Sequence, residues 1–188
     1  MAPVTFRRAT TDDIHAVVDL VQSAYRGERS RAGWTFEADL IDGQRIDVEM
    51  LRDLLETPGT NVLVAESDGL VGCCEISLPA DTSVALFGMF AVDPTRQAEG
   101  IGRALLGEAE RTAVAEWGAT QMRLSIIHLR DELIAWYARR GYTVTDETLA
   151  FPYGDERFGR PRRDDLFFLV MEKSLERVDR RTRRGSVS

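Results

Sequence analysis

The longest uninterrupted apolar run in the chain, Val84 to Val92, has the length and the β-branched and aromatic content of a buried strand. Asp93-Pro94-Thr95 ends it, because proline cannot donate to a ladder and aspartate favours a turn. A helical pattern follows: Ile101, Leu105, Ala109 and Ala113 recur at a four-residue step, with Leu106 and Val114 beside them. The spacing predicts a helix over 100–117 with Gly118 as its stop, then a strand from Gln121 to His128. Joined this way, strand, helix and strand form a right-handed crossover between parallel strands.

Upstream, Val4 to Ala9 reads as a short strand. Thr10 and Thr11 are N-cap candidates, and Ile14, Val17, Val18, Val21 and Tyr25 make one face of an amphipathic helix. Gly27 to Gly33 breaks that helix, and Trp34 to Glu56 reads as a second helical region with a break near Asp42-Gly43. Asn61 to Glu66 and Leu70 to Leu78 form a hairpin on Ser67-Asp68-Gly69, and with 84–92 they are expected to make an antiparallel meander. Downstream, Asp131 to Arg140 is a helix closed by Gly141, and Tyr142 to Thr145 opens another strand. Ala150 to Asp165 reads as a loop, Leu166 to Met171 as a last strand, and Arg177 to Ser188 as a disordered tail.

With 188 residues, 44% of them hydrophobic, one well-buried core in one domain is the expectation. A formal charge of −7 argues against non-specific nucleic-acid binding. No stretch approaches the ~20 apolar residues of a membrane helix. The first residues lack an apolar signal core, so a cytoplasmic protein away from membranes is expected. Cys73 and Cys74 are adjacent and point to opposite faces of a strand, so neither is placed for a disulfide. The only histidines, His15 and His128, have no cysteine–histidine spacing around them, and no metal is expected. Between Glu37 and Glu56 stand seven acids against two arginines, which reads either as a solvated helix face or as a negative rim that draws in a cationic amine.

A strand, a glycine-bearing loop and a helix N-terminus in that order make an anion site, because unpaired N–H groups converge where the helix dipole is positive. The spacing Gln97-x-x-Gly100-x-Gly102 resembles the Q/R-x-x-G-x-G/A pyrophosphate loop of the GNAT superfamily of acyl-CoA-dependent N-acetyltransferases. Later, W-Y-A-R-R-G-Y from Trp136 to Tyr142 resembles the L-Y-x-x-x-G-F/Y signature found late in those chains. The resemblance spans residues 4–173. It implies an α/β fold with a mixed central sheet flanked by helices and a strand–helix–strand cofactor unit. It also implies acetyl transfer from acetyl-CoA to a primary amine, a small molecule or a peptide, by direct attack in a ternary complex.

By the same resemblance the backbone N–H groups of Gln97, Ala98, Glu99, Gly100, Ile101, Gly102 and Arg103 hold the pyrophosphate, and Phe90, Ala91 and Val92 pair with the pantetheine arm. Gly88 is expected near the point where the two parallel strands part. Tyr137 matches the tyrosine that protonates the departing thiolate; Glu75, a carboxylate inside an apolar run, is the candidate base, with a water chain as the alternative. Trp34 and Glu37 are candidates for lining the acceptor site. Arg130 stands where many relatives have an asparagine, so no role is carried to it. Two rivals differ in class: a non-catalytic acyl-CoA-binding regulatory module, which has no need of Tyr137, and a dinucleotide-binding unit, against which Leu105 occupies the third glycine position. Exposed strand edges leave a homodimer open.

Overall fold

The apolar run of nine residues forms a strand with its bounds at Val84 and Val92, and the rest of the sheet is built outward from it. The structure, a computed structural model, describes residues 3–26, 30, 33 and 37–176. In chain order the elements are β1 (Thr5–Arg8), α1 (Ile14–Tyr25), β2 (Ile41–Asp42), α2 (Val48–Glu56), β3 (Thr60–Glu66), β4 (Leu70–Ser77) and β5 (Val84–Val92). There follow α3 (Ile101–Trp117), β6 (Gln121–Ile127), α4 (Asp131–Ala138), β7 (Thr143–Ala150), β8 (Arg160–Pro161) and β9 (Phe167–Ser174). Seven strands make one sheet in the order β1-β3-β4-β5-β6-β9-β7, while β2 and β8 pair as a separate ribbon. Only the β5–β6 contact is parallel, as a strand–helix–strand crossover requires.

Local chemistry sets the element ends. Thr10 and Asp13 close a capping box ahead of α1, with the Thr10 N–H donating to Asp13 Oδ2 at 2.7 Å. Asp47 caps α2 by accepting from the Met50 N–H at 2.8 Å. Gly118 ends α3 in the left-handed region at φ 64°, where a side chain is unfavourable.

The sheet carries a core on each face. Ile101, Leu105, Leu106, Ala109 and Ala113 of α3, with Tyr137 of α4, pack on one side together with Cys74. Ile14, Val17, Leu20 and Val21 of α1, with Leu51 of α2, pack on the other together with Cys73. The two neighbouring thiols therefore lie on opposite faces, both buried, as strand alternation predicts. Among the described residues no helix is long and apolar enough to cross a membrane.

Several expected boundaries fail, each for a physical reason. Residues 37–56 are not one helical region: Ile41 pairs with Pro161 and Asp42 with Arg160, and the helix begins only after the Asp47 cap. Gly43, at φ +85°, turns the chain between them. The expected loop over 150–165 contains β8. Strand β7 runs to Ala150 rather than stopping at Thr145, and its exposed, polar residues at the sheet edge leave no alternating pattern to read. Arg177 to Ser188 lie outside the described residues.

Leu105 is fully buried between α3 and the sheet. Leu105→Ala is expected to lower the unfolding free energy by ~2–5 kcal/mol, read as a shift of the urea midpoint at unchanged m-value.

Candidate active site

The site opens where β5 and β6 part. Their parallel register covers Val84–Gln121, Ala85–Met122 and Leu86–Arg123 only, and beyond this β6 pairs solely with β9. On its other edge β5 is bulged. Cys73 faces Ala91 and Glu75 faces Gly88, so Met89 and Phe90 together oppose Cys74. Met89 takes φ +45°, a left-handed backbone that a β-carbon disfavours. Such a bulge adds twist and turns β5 away from its parallel neighbour. The Tyr25 hydroxyl, at the end of α1, donates to the Phe90 carbonyl at 2.7 Å and ties that helix to the bulge.

Two cavities occupy the wedge. One, of about 340 Å³, is bordered by Phe90, Ala91, Val92, Gln97, Ala98, Gly100, Gly102 and Arg103. Eight of the ten expected cofactor residues thus come together. The other two do not line it: Ile101 is buried in the core and the Glu99 carboxylate pairs with Arg96 at 2.8 Å. The loop is held from outside, by Arg96 Nη1 donating to the Ser67 carbonyl at 2.9 Å and by Asp93 Oδ1 accepting from the Thr95 N–H at 2.9 Å.

Ala98 at φ +78° and Gly100 at φ +84° are both left-handed, and a Cβ on Gly100 would meet nothing within 4 Å. Alternating left-handed backbone before a helix turns successive N–H groups into one concavity. A Cβ on Gly102 would stand 3.1 Å from the Phe90 ring and 3.5 Å from Val92, so a side chain here would make the ring shift by a few tenths of an ångström and glycine lets α3 sit closest to the strand. Arg139 and Arg140 also face this cavity, and a buried Nε on Arg140 has no partner. The open concavity and the cations around it fit the diphosphate of an acyl-CoA.

The second cavity, of about 280 Å³, is lined by Arg26, Glu37, Arg45 and Arg130 among apolar residues that include Leu124, Ile126, Phe151 and Phe168. Tyr25, Phe90, Arg130, Leu133 and Tyr137 line both cavities and form the wall between them. Tyr137 is only 3% exposed, and burial pushes its phenol well above the ordinary value. Its hydroxyl makes no hydrogen bond to another described residue. Gly88 lines the second cavity two residues past the last parallel pair. Glu75 lies behind it, with Oε2 3.8 Å from where a Gly88 Cβ would stand, and burial raises its carboxyl.

Glu37 enters the second cavity as a buried ion-pair partner. Its Oε2 accepts from Arg26 Nη1 at 2.6 Å and its Oε1 from Arg130 Nη1 at 2.7 Å. Burial alone would raise this carboxyl, but the charges of Arg130 and Arg26 outweigh it and hold it below the ordinary value. The negative rim is not formed. Of the seven acids between 37 and 56 only Glu37 turns into the cavity, while Asp39, Asp42, Glu49, Asp53 and Glu56 are exposed and Asp47 caps α2. Trp34 lies outside the described residues. Arg26 and Arg45 escaped the sequence reading and Tyr25 was read only as part of a helix face; the one signal present was the arginine at 130.

The family model for the acetyltransferase (GNAT) domain matches residues 58–144. The fold is similar to the ribosomal-protein-S18-alanine N-acetyltransferase of Escherichia coli, with TM-score 0.67 at 18% identity over 93% of this chain and 95% of that one. It is similar too to the ribosomal-protein-alanine N-acetyltransferase of Brucella melitensis, with TM-score 0.67 at 23% identity over 91% and 99%. An N-acetyltransferase from Staphylococcus aureus Mu50 superposes with TM-score 0.68 at 16% identity over 93% and 100%. No curated protein matches by sequence.

Glu37→Gln leaves Arg26 and Arg130 buried without their counter-charge, and is expected to cost ~3–5 kcal/mol of stability at neutral pH. A carboxyl held low in the fold stabilises above its unfolded value of ~4.3 and loses that contribution as pH falls below it. Urea midpoints measured between neutral and acid pH should therefore converge for the two proteins as pH drops.

Proposed function

We propose that this chain, a member of the GNAT acetyltransferase superfamily, moves an acetyl group from acetyl-CoA to a primary amine by direct attack within a ternary complex. The observation that carries the reading is the shared wall: one cavity ends at the anion-binding loop, the other is walled by ion-paired and apolar side chains, and Tyr137 lines both. Two reactants entering from opposite sides meet there without a carrier. Neither cysteine suits a covalent relay, since both are buried and burial pushes the Cys73 thiol up to about 12.

Acetyl-CoA, when bound, supplies a thioester primed for acyl transfer. The open edge of β5 from Phe90 to Val92 offers backbone groups for the pantetheine amides, like an added strand. The N–H groups of Gln97, Ala98, Gly100, Gly102 and Arg103 receive the diphosphate, with Arg103, Arg139 and Arg140 adding charge. Tyr137 keeps its proton throughout the neutral range and donates it toward the departing sulfur. An alkylammonium titrates near ~10.4, so the amine must lose a proton before it attacks. Glu75 takes that proton through water beside Gly88.

Tyr137→Phe is expected to lower kcat by ~10²–10⁴-fold while the acetyl-CoA Kd by calorimetry stays within about twofold. Thiol release from CoA reads the first and separates an enzyme from a binding module. A parent protein that binds acetyl-CoA yet releases thiol with no amine overturns the transferase reading. Glu75 acts as a base only when ionised, so kcat/KM should fall as pH drops through its raised value, and Glu75→Gln should remove that acid limb.

A further inference from the structure

We infer that the amine acceptor carries a carboxylate, in the manner of a free apolar amino acid, and that Arg26 and Arg45 bind it. The inference rests on the transferase reading and names the substrate class of its second cavity. Among the described residues, three arginines line that cavity with one carboxylate, Glu37. Glu37 is already committed to Arg26 Nη1 and Arg130 Nη1. Neither Glu37 oxygen is hydrogen-bonded to the Nε or Nη2 of Arg26 or to Arg45.

The donors left over are specific. Arg26 is 5% exposed, and its Nε and Nη2 are buried with no hydrogen-bond partner. Buried guanidinium donors are rarely left unsatisfied, because each has lost water without a replacement. Arg45 lies with its Cζ 5.4 Å from the centre of the Tyr25 ring, and its guanidinium makes no ion pair with a described residue. A planar fork of N–H groups matches a carboxylate in two parallel hydrogen bonds, a geometry that neither an amide nor an ammonium can return. Opposite the arginines, Leu124, Ile126, Phe151 and Phe168 supply an apolar surface for the rest of the molecule. The volume, about 280 Å³, is just under the ~300 Å³ at which pockets for drug-sized ligands begin, so a single small molecule fills it. A polyamine would bring cations against guanidinium groups and leave the Arg26 donors unmet.

The test compares acids with their amides. L-phenylalanine and L-leucine are assayed against their primary amides for thiol release from acetyl-CoA. N-acetyl-L-phenylalanine and its amide are titrated calorimetrically into the CoA-loaded protein. The acid should be preferred by ~10–100-fold in both kcat/KM and Kd. Arg45→Gln should reduce that ratio to within about threefold, its acetyl-CoA affinity reporting that it is folded. Should the variant not fold, the ratio in the parent protein decides alone. Equal handling of acid and amide, or preference for the amide, overturns the carboxylate site and leaves the transferase standing if any amine releases thiol. Preferential binding of the acid with no thiol release from any amine overturns the transferase and leaves the anion site standing.

Discussion

Strands β5 and β6 share three parallel pairs and then separate, and every group assigned to the chemistry stands in or around the gap that this leaves. Had β6 followed β5 to Val92, the edge of β5 at Phe90 would be spent on a ladder and neither cavity would exist. The separation is built from both sides. The bulge at Met89 turns β5, while β6 is held by continuous antiparallel pairing to β9 from Gln121 to Ile127. Gly102 then brings α3 against Phe90 and Val92, and Tyr25 fixes the Phe90 carbonyl from α1. A left-handed Met89 is a strained residue in a packed strand, and it persists because cores on both faces determine the backbone around it.

What could be read from the chain follows how local the cause is. The strand 84–92, the hairpin and the helix after the glycine loop have their pattern and their stop signals within a few residues, and the structure repeats them nearly to the residue. The β2–β8 ribbon joins two residues to two others over a hundred positions away, which no window registers. The acidic stretch left two readings open for a related reason, and the solvated face is the one its exposed side chains match. Counting charges along 37–56 says nothing about which side chain turns inward, and the only one facing the cavity does so because arginines at 26 and 130 meet it. The glycine loop was legible because its geometry depends on the residue types themselves. The second cavity was not, because its walls come from α1, β5, β6, α4 and the segment around Phe151.

The ion network of Arg26, Glu37 and Arg130 is poor evidence for stability, since desolvating three charges costs about as much as their attraction returns. Its structural effect is register. It links the end of α1, the turn before β2 and the residue that precedes α4, three segments that share no sheet pairing and that all border the wedge. Arg130 also lies 5.8 Å from the Tyr25 ring, so the same guanidinium bears on the residue anchoring the bulge. An asparagine at position 130 could not carry a charge to Glu37.

Tyr137 carries a hydroxyl that its packing does not need. Its ring is held by edge contacts with Trp136 at 4.9 Å and Tyr142 at 5.5 Å, a setting that phenylalanine would fill equally well. The hydroxyl adds a polar atom to that setting and finds no partner among the described residues, whereas the neighbouring Tyr142 hydroxyl donates to Glu110 at 3.0 Å. Burial of the ring keeps that hydroxyl protonated at neutral pH, and the residue lines the wall shared by the two cavities, so what the phenol adds over phenylalanine is an O–H at that wall rather than packing.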